Sequence, residues 1–253
     1  MSATALAVLL MFPQLVDSTD RNRQLTAAEQ EADLSPERRG DIYVARKMYR
    51  EAVDAYRQAL DEQPRNARLY NKLGISFHHQ LMFGEAKRHY ERASKLDEKY
   101  AQAVNNLGTI YYAERNYKKA QKSYEKALKI TPNSASIYSN LGTAFFARRK
   151  YEKASQAYLR ALEIDPEVFE HRNEMGTLLQ ERSVEDLGKY HYFMAEAYAR
   201  VGAFDRALLY LRRSIEEGYA KPEKVAKEKL FEPMLEMPDF QRLVGVVETA
   251  QVQ

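Results

Sequence analysis

Val104-Asn105-Asn106-Leu107-Gly108-Thr109-Ile110-Tyr111 returns 34 residues later as Tyr138-Ser139-Asn140-Leu141-Gly142-Thr143-Ala144-Phe145. The same interval separates Ala52, Ala86, Ala120 and Ala154, then Tyr56, Tyr90, Tyr124 and Tyr158, then Ala59, Ala93, Ala127 and Ala161. Gly40, Gly74, Gly108, Gly142 and Gly176 keep the step, as do the aromatics Tyr43, Phe77, Tyr111 and Phe145. So many series in one register establish a repeat, and a fixed period of this length decides the architecture before any local reading.

Each period holds two helices. Leu107, Gly108 and Tyr111 share one helical face, a turn falls near Arg115-Asn116, and Tyr117, Ala120, Tyr124 and Ala127 share the face of the next helix. Pro64, Pro132 and Pro166 close the second helix of their units. Glycine and alanine at fixed positions let helix axes approach to the lower end of the ~8–10 Å range, and a ring at another fixed position fills the gap between units. The expectation is an all-α chain of helix-turn-helix units.

The pattern resembles the tetratricopeptide repeat, over residues 33–66, 67–100, 101–134 and 135–168. Two departures stand out: Glu98 replaces the closing proline of the second unit, and Pro36 opens the first where an aromatic is usual. The resemblance implies a right-handed α-α solenoid with a concave groove lined by the first helix of each unit. After Val168 the register changes. Met175-Gly176 opens another first helix, Ser183-Val184-Glu185-Asp186 reads as a capped helix start, and Ala207 stands 53 residues after Ala154 in place of 34. Residues 169–218 therefore read as an irregular fifth unit with an extra helix and a degenerate repeat. The apolar residues Val225, Leu230, Phe231, Met234, Leu235, Phe240, Leu243 and Val244 mark 219–253 as a C-terminal cap over the last open face.

At the other end, Ala5-Leu6-Ala7-Val8-Leu9-Leu10-Met11-Phe12 is an uninterrupted apolar run. It is too short for a membrane span, which needs about 20 apolar residues. Residues 1–18 have the apolar core and small residues (Val16-Asp17-Ser18) of a secretory signal, but no Lys or Arg precedes them. Cleavage there would export the chain to the periplasm of a bacterial cell. The alternative is an apolar tail or a helix packed on the first unit of a cytoplasmic protein. Residues 19–32 form a polar lead-in.

Composition agrees with helices and offers little chemistry. Tyrosine (18) is abundant, glycine (10) and proline (8) are sparse, and there is no cysteine, hence no disulfide and no thiolate site. The 39 basic and 36 acidic groups nearly balance, so charge gives no reason to expect nucleic acid. His78-His79 are adjacent, about 100° apart on a helix, and cannot form an i, i+4 metal pair. His89, His171 and His191 stand alone as surface or interface residues, and no glycine cluster cradles phosphate. No cofactor, metal or enzymatic activity is expected.

The groove is the remaining candidate. The resemblance places ligand contacts at Asn71, Ile75 and His78; Asn105, Thr109 and Tyr112; Ser139, Thr143 and Phe146; and Asn173 and Thr177. Side-chain amides on such a strip can donate to and accept from an extended peptide backbone. Asn106 and Asn140 also resemble the asparagine ladder of the O-linked N-acetylglucosamine transferases, a match that fails at Lys72 and Glu174. The basic set that clamps a chaperone's terminal carboxylate is missing. The expected role is that of a scaffold or adaptor for a protein or peptide. Further alternatives are a docking subunit of an enzyme or of a secretion or envelope complex and, against the neutral groove, an RNA-binding array.

Overall fold

The computed structural model describes residues 34–169 and 187–245, and every regular element among them is helical. Four antiparallel pairs follow one another: α1 (Pro36–Ala45) with α2 (Tyr49–Glu62), α3 (Ala67–His79) with α4 (Phe83–Leu96), α5 (Ala101–Ala113) with α6 (Tyr117–Ile130), and α7 (Ala135–Ala147) with α8 (Tyr151–Ile164). A fifth pair, α9 (Leu187–Arg200) with α10 (Phe204–Glu216), packs on α8. A short α11 (Pro222–Val225), a 3-10 segment (Lys229–Met234) and α12 (Pro238–Val244) end the described chain. The principal helix contacts join neighbours in chain order, apart from a light α5–α7 contact and those of the terminal segment.

Local chemistry sets the helix starts. Asn66 Oδ1 accepts from the amides of Arg68 and Leu69, and Asn116 Oδ1 from that of Lys119, satisfying donors that a first turn leaves open. Pro36, out of pattern as an aromatic, sits at the start of α1 behind the Ser35 cap, where its missing N–H is not needed. Inside each of the first four pairs the chain turns through one left-handed residue: Lys47 (φ 61°), Leu81 (59°), Arg115 (57°) and Arg149 (58°). The fifth pair uses Gly202 (φ 75°) at the same place. A side chain with Cβ costs roughly 1–2 kcal/mol in this conformation. Leu81 is 73% exposed, so its side chain contributes little packing. Leu81→Gly is therefore expected to raise stability by about 1 kcal/mol, read as a higher urea midpoint at unchanged slope; a lower midpoint would refute the strain assignment.

The periodic small and large residues meet as pairs. A Cβ added to Gly108 would lie 2.5 Å from Tyr124 Cε1, and one on Gly142 2.4 Å from Tyr158 Cε1, with the same relation at Gly40–Tyr56 and Gly74–Tyr90. Each tyrosine ring of the second helix thus packs directly against the glycine of the first, and the ring is buried. The alanines Ala52, Ala86, Ala120, Ala154 and Ala207 are fully buried. Ala207 occupies the place of Ala154 one pair later, so α9 and α10 pair as the helices of the first four units do. Met175, Gly176 and Ser183, which mark the extra helix in the sequence, lie outside the described residues.

The core divides into two clusters. One holds Ala52, Tyr56, Leu69, Leu73, Phe77, Ala86, Tyr90 and Ile110. The other runs from Val104 and Tyr112 through Tyr158, Met194 and Tyr198 to Phe231, Met234, Phe240 and Val244. They meet at α5. The second includes the apolar residues expected of a cap: Val225, Phe231, Met234, Phe240 and Val244 are buried, and Leu230, Leu235 and Leu243 are packed against them.

Candidate binding groove

The inner helices α3, α5 and α7 carry the residues singled out from the sequence, and one hydrogen-bond step repeats between them. Asn106 Nδ2 donates to Asn71 Oδ1 and Asn140 Nδ2 to Asn105 Oδ1, each at 3.0 Å and each across 35 residues. Asn105 Nδ2 donates to Asn106 Oδ1 at 3.3 Å, so the four amides form one continuous relay. The first interface uses the same 35-residue step with other chemistry: Lys72 Nζ lies 2.7 Å from Glu37 and from Asp41. Lys72, where the asparagine pattern breaks, is the ionic rung of the same ladder. Tyr56 Oη donates to the same Asp41, at 2.8 Å.

These contacts change the meaning of the amides. The sequence suggests amides facing a ligand; in the structure they join consecutive inner helices, because residues one position apart on successive helices come into register. The hydroxyls are also engaged: Thr109 Oγ1 donates to the Asn106 carbonyl at 2.7 Å and Thr143 Oγ1 to that of Ser139 at 3.1 Å. Asn71, Ile75, Asn105, Asn106, Thr109, Tyr112, Ser139, Asn140, Thr143 and Phe146 are all buried, at 1–8% exposure. Among the described residues, the buried side-chain nitrogen and oxygen atoms without a partner are His78 Nδ1 and Tyr90 Oη.

The rings occupy the far end of the strip. Tyr112 packs on Tyr117 (centroids 5.1 Å), and Phe146 meets Tyr151, Tyr190 and Phe193 at 5.2–6.2 Å. Asn173 and Thr177 lie outside the described residues. By the 53-residue offset, Tyr192, Phe193 and Glu196 of α9 correspond to Ser139, Asn140 and Thr143 of α7. The available signal was the 53-residue offset of Ala207, which carries the inner face to α9. Burial, opposed by Arg200 and reinforced by Glu228, raises the Glu196 carboxyl above its ordinary value. Glu196 lines a cleft of about 390 Å³ between α8 and α9 with Phe193, Arg200, Glu152, Ser155, Gln156 and Leu159.

The histidines take structural places. His79 stacks on Tyr49 (4.5 Å) and His89 on Phe77 (5.3 Å). His191, expected at a surface or interface, is buried with Nδ1 2.8 Å from Glu217. His78 sits edge-on to Phe83, and burial, with the charge of His79 beside it, lowers it from 6.5 to about 4. The unfolded chain takes up this proton below about pH 6.5 while the folded chain does so only near 4. Stability therefore falls as the pH drops through that window, by up to about 3 kcal/mol from this group. Burial lowers His89 as well, with the same sign. In His78→Leu the melting temperature should fall less between pH 7 and pH 4 than in wild type; parallel curves would contradict the assignment.

Among the described residues no group of three His, Asp or Glu side chains gathers to hold a metal, and no helix is long and apolar enough to cross a membrane.

Comparison with known proteins agrees with this geometry. A family profile described as tetratricopeptide repeat matches residues 100–167, and a second, described as TPR repeat, matches residues 40–80. None of the curated proteins matches the chain in sequence. Among solved structures, PilF of Pseudomonas aeruginosa superposes with a TM-score of 0.55 at 17% identity, covering 86% of this chain and 89% of its own. MamA (residues 41 to the end) of Desulfovibrio magneticus RS-1 superposes with a TM-score of 0.51 at 18% identity, over 76% of this chain and 96% of its own. At such identities the likeness is one of fold. The glycine–tyrosine pairs, the left-handed turn once per unit and the matching profiles together identify the chain as a tetratricopeptide-repeat protein.

Proposed function

We propose that the chain is a non-catalytic binding module that holds a protein or peptide segment on the inner face of its helix pairs. The observation that carries this reading is the continuity of the inner strip: α3, α5 and α7 present corresponding positions in one register, joined by asparagine rungs that keep these helices aligned. A face built this way is a single preformed surface, which lowers the ordering cost of binding. Its chemistry disfavours nucleic acid. Lys72, the cation on the described part of the strip, is engaged by Glu37 and Asp41 rather than free to meet phosphates.

The test is capture of partners by the purified chain from a lysate of its host, compared with Tyr112→Ala plus Phe146→Ala on the inner face and Lys122→Ala on the outer face, all first checked for helical content. Loss of a specific partner in the inner-face variant, with retention in the outer-face variant, supports the reading. Equal capture by all three removes it.

A further inference from the structure

The turns inside the helix pairs break local rules where nothing in the fold requires it. Each pair is antiparallel and the inner helices stay in register through the asparagine rungs, so these turns line up along one edge, roughly 10 Å apart, with the turns between pairs along the other. Among the described residues, three of the four left-handed non-glycine positions at these tips are cationic, Lys47, Arg115 and Arg149, and the fourth is Leu81. The residue after each of them is the N-cap of the second helix. Asn116 accepts the amide of Lys119 there, but Met48 and Met82 make no side-chain cap. Methionine is a poor N-cap and leucine a costly left-handed residue, yet Met48, Leu81 and Met82 stand 38%, 73% and 45% exposed and bring little packing in return. Local choices that cost stability without a gain in the fold mark a surface kept for another purpose.

The rest of the edge carries charge. The starts of α6 and α8 add Lys118, Lys119, Lys150 and Lys153, all exposed. Of the acids in the same turns, Glu85 is paired with Arg88 and Glu114 with Lys87, while Glu51 and Glu152 stand among more numerous lysines and arginines. At the opposite edge of the first two pairs, the ends of α2 and α4 carry Asp61, Glu62, Asp97 and Glu98 beside Arg65 and Lys99. The chain's 39 basic and 36 acidic groups nearly cancel, so the difference between the edges is one of placement, and an anionic surface draws one edge and repels the other. Exposed methionine and leucine side chains level with lysines and arginines suit a peripheral membrane contact: the apolar tips enter the headgroup region while the cations meet anionic lipid. A nucleic acid would use the cations but leave the apolar tips in water.

We propose that this edge docks on an anionic lipid bilayer, with Met48, Leu81 and Met82 seated among the headgroups and the tips of the third and fourth pairs held by charge. The inference goes beyond the inner-face reading and does not depend on what that face binds.

The test mixes the full chain with vesicles of phosphatidylcholine alone and with vesicles in which about a third of the lipid is phosphatidylglycerol, and reads the bound fraction by co-sedimentation. Wild type should bind the anionic vesicles about ten-fold more tightly than the neutral ones, or better. Leu81→Gly plus Met82→Asn relieves the left-handed turn and adds an N-cap, so the melting temperature should be equal or higher while affinity for anionic vesicles falls by about five-fold or more. Lys118→Glu plus Lys119→Glu places acids in the first turn of a helix, where the dipole favours them, and should lower that affinity by about ten-fold or more. Lys126→Glu plus Lys129→Glu makes the same change of charge farther along α6, beyond a Debye length of about 8 Å from the edge, and should bind close to wild type. Every variant carries the same residues 1–33, so binding through that part of the chain is common to all. Equal binding by wild type and both edge variants overturns the inference, as does equal binding to neutral and anionic vesicles. An equal loss in the Lys126 and Lys129 variant also overturns it, reducing the effect to net charge. So does a shift of single-stranded RNA that needs Lys118 and Lys119 but not Leu81 and Met82, without vesicle binding, which assigns the edge to nucleic acid.

Discussion

Gly108→Ala is expected to destabilise the protein by about 2–3 kcal/mol, more than its single methyl group would suggest. The new Cβ would stand 2.5 Å from Tyr124 Cε1 and 2.8 Å from Cδ1. Tyr124 is buried between its own pair and the next and has no open space to move into. Either the ring leaves its rotamer or α5 and α6 separate, and both loosen the contact with α7. For a chain of this size the loss corresponds to a drop in melting temperature of roughly 5–10 °C. Gly84 provides the internal comparison. It also lies in a helix, but a Cβ there meets nothing within 4 Å, so Gly84→Ala should gain up to about 1 kcal/mol from helix propensity. Adding Tyr124→Leu to Gly108→Ala should cost less than the sum of the two single changes, since the smaller side chain removes the clash. Additive losses would show that the glycine serves something other than the ring.

Phe231→Ala is expected to cost about 3–5 kcal/mol and to act on one end of the molecule only. Phe231 is fully buried, with Phe240 and Tyr192 at 6.5 Å and 6.2 Å between ring centroids, so it holds the terminal segment against α9. Stability in a stacked array is a sum of unit and nearest-neighbour terms, so removing the ring weakens the last interfaces and leaves distant ones unchanged. Amide hydrogen exchange should show lost protection in α9, α10 and α12, with α1 to α4 as in wild type. Uniform loss along the chain would mean that the units unfold as one block.

What could be read from the sequence was whatever recurs in identical surroundings. Gly108, Tyr124 and Ala127 face the same neighbours in each unit, so packing constraints write them at one interval and the helix pairs follow. Contacts between one unit and the next were harder to read because they join different positions. Lys72 reaches Glu37 and Asn106 reaches Asn71 across 35 residues, one more than the period, and an alignment by period alone hides the pairing. The same offset separates the inner-face composition, which was legible, from the use of its amides, which was not. The later units break the interval, so Tyr192, Phe193 and Glu196 carry no repeat signature. His191 gave no sign of burial because its partner, Glu217, caps the C-terminus of α10 and is brought near only by the α9–α10 pairing.

The division of the apolar core at α5 has a mechanical side. Each cluster resists bending as a packed solid does, while the join between them is made by one helix that contributes Ile110 to one side and Val104 and Tyr112 to the other. Under load, or when a bulky guest wedges between the inner helices, deflection should concentrate there, making α5 a flexure between two stiffer arms. The asparagine relay spans that flexure from α3 to α7 and so acts as a tie that limits how far the arms can open.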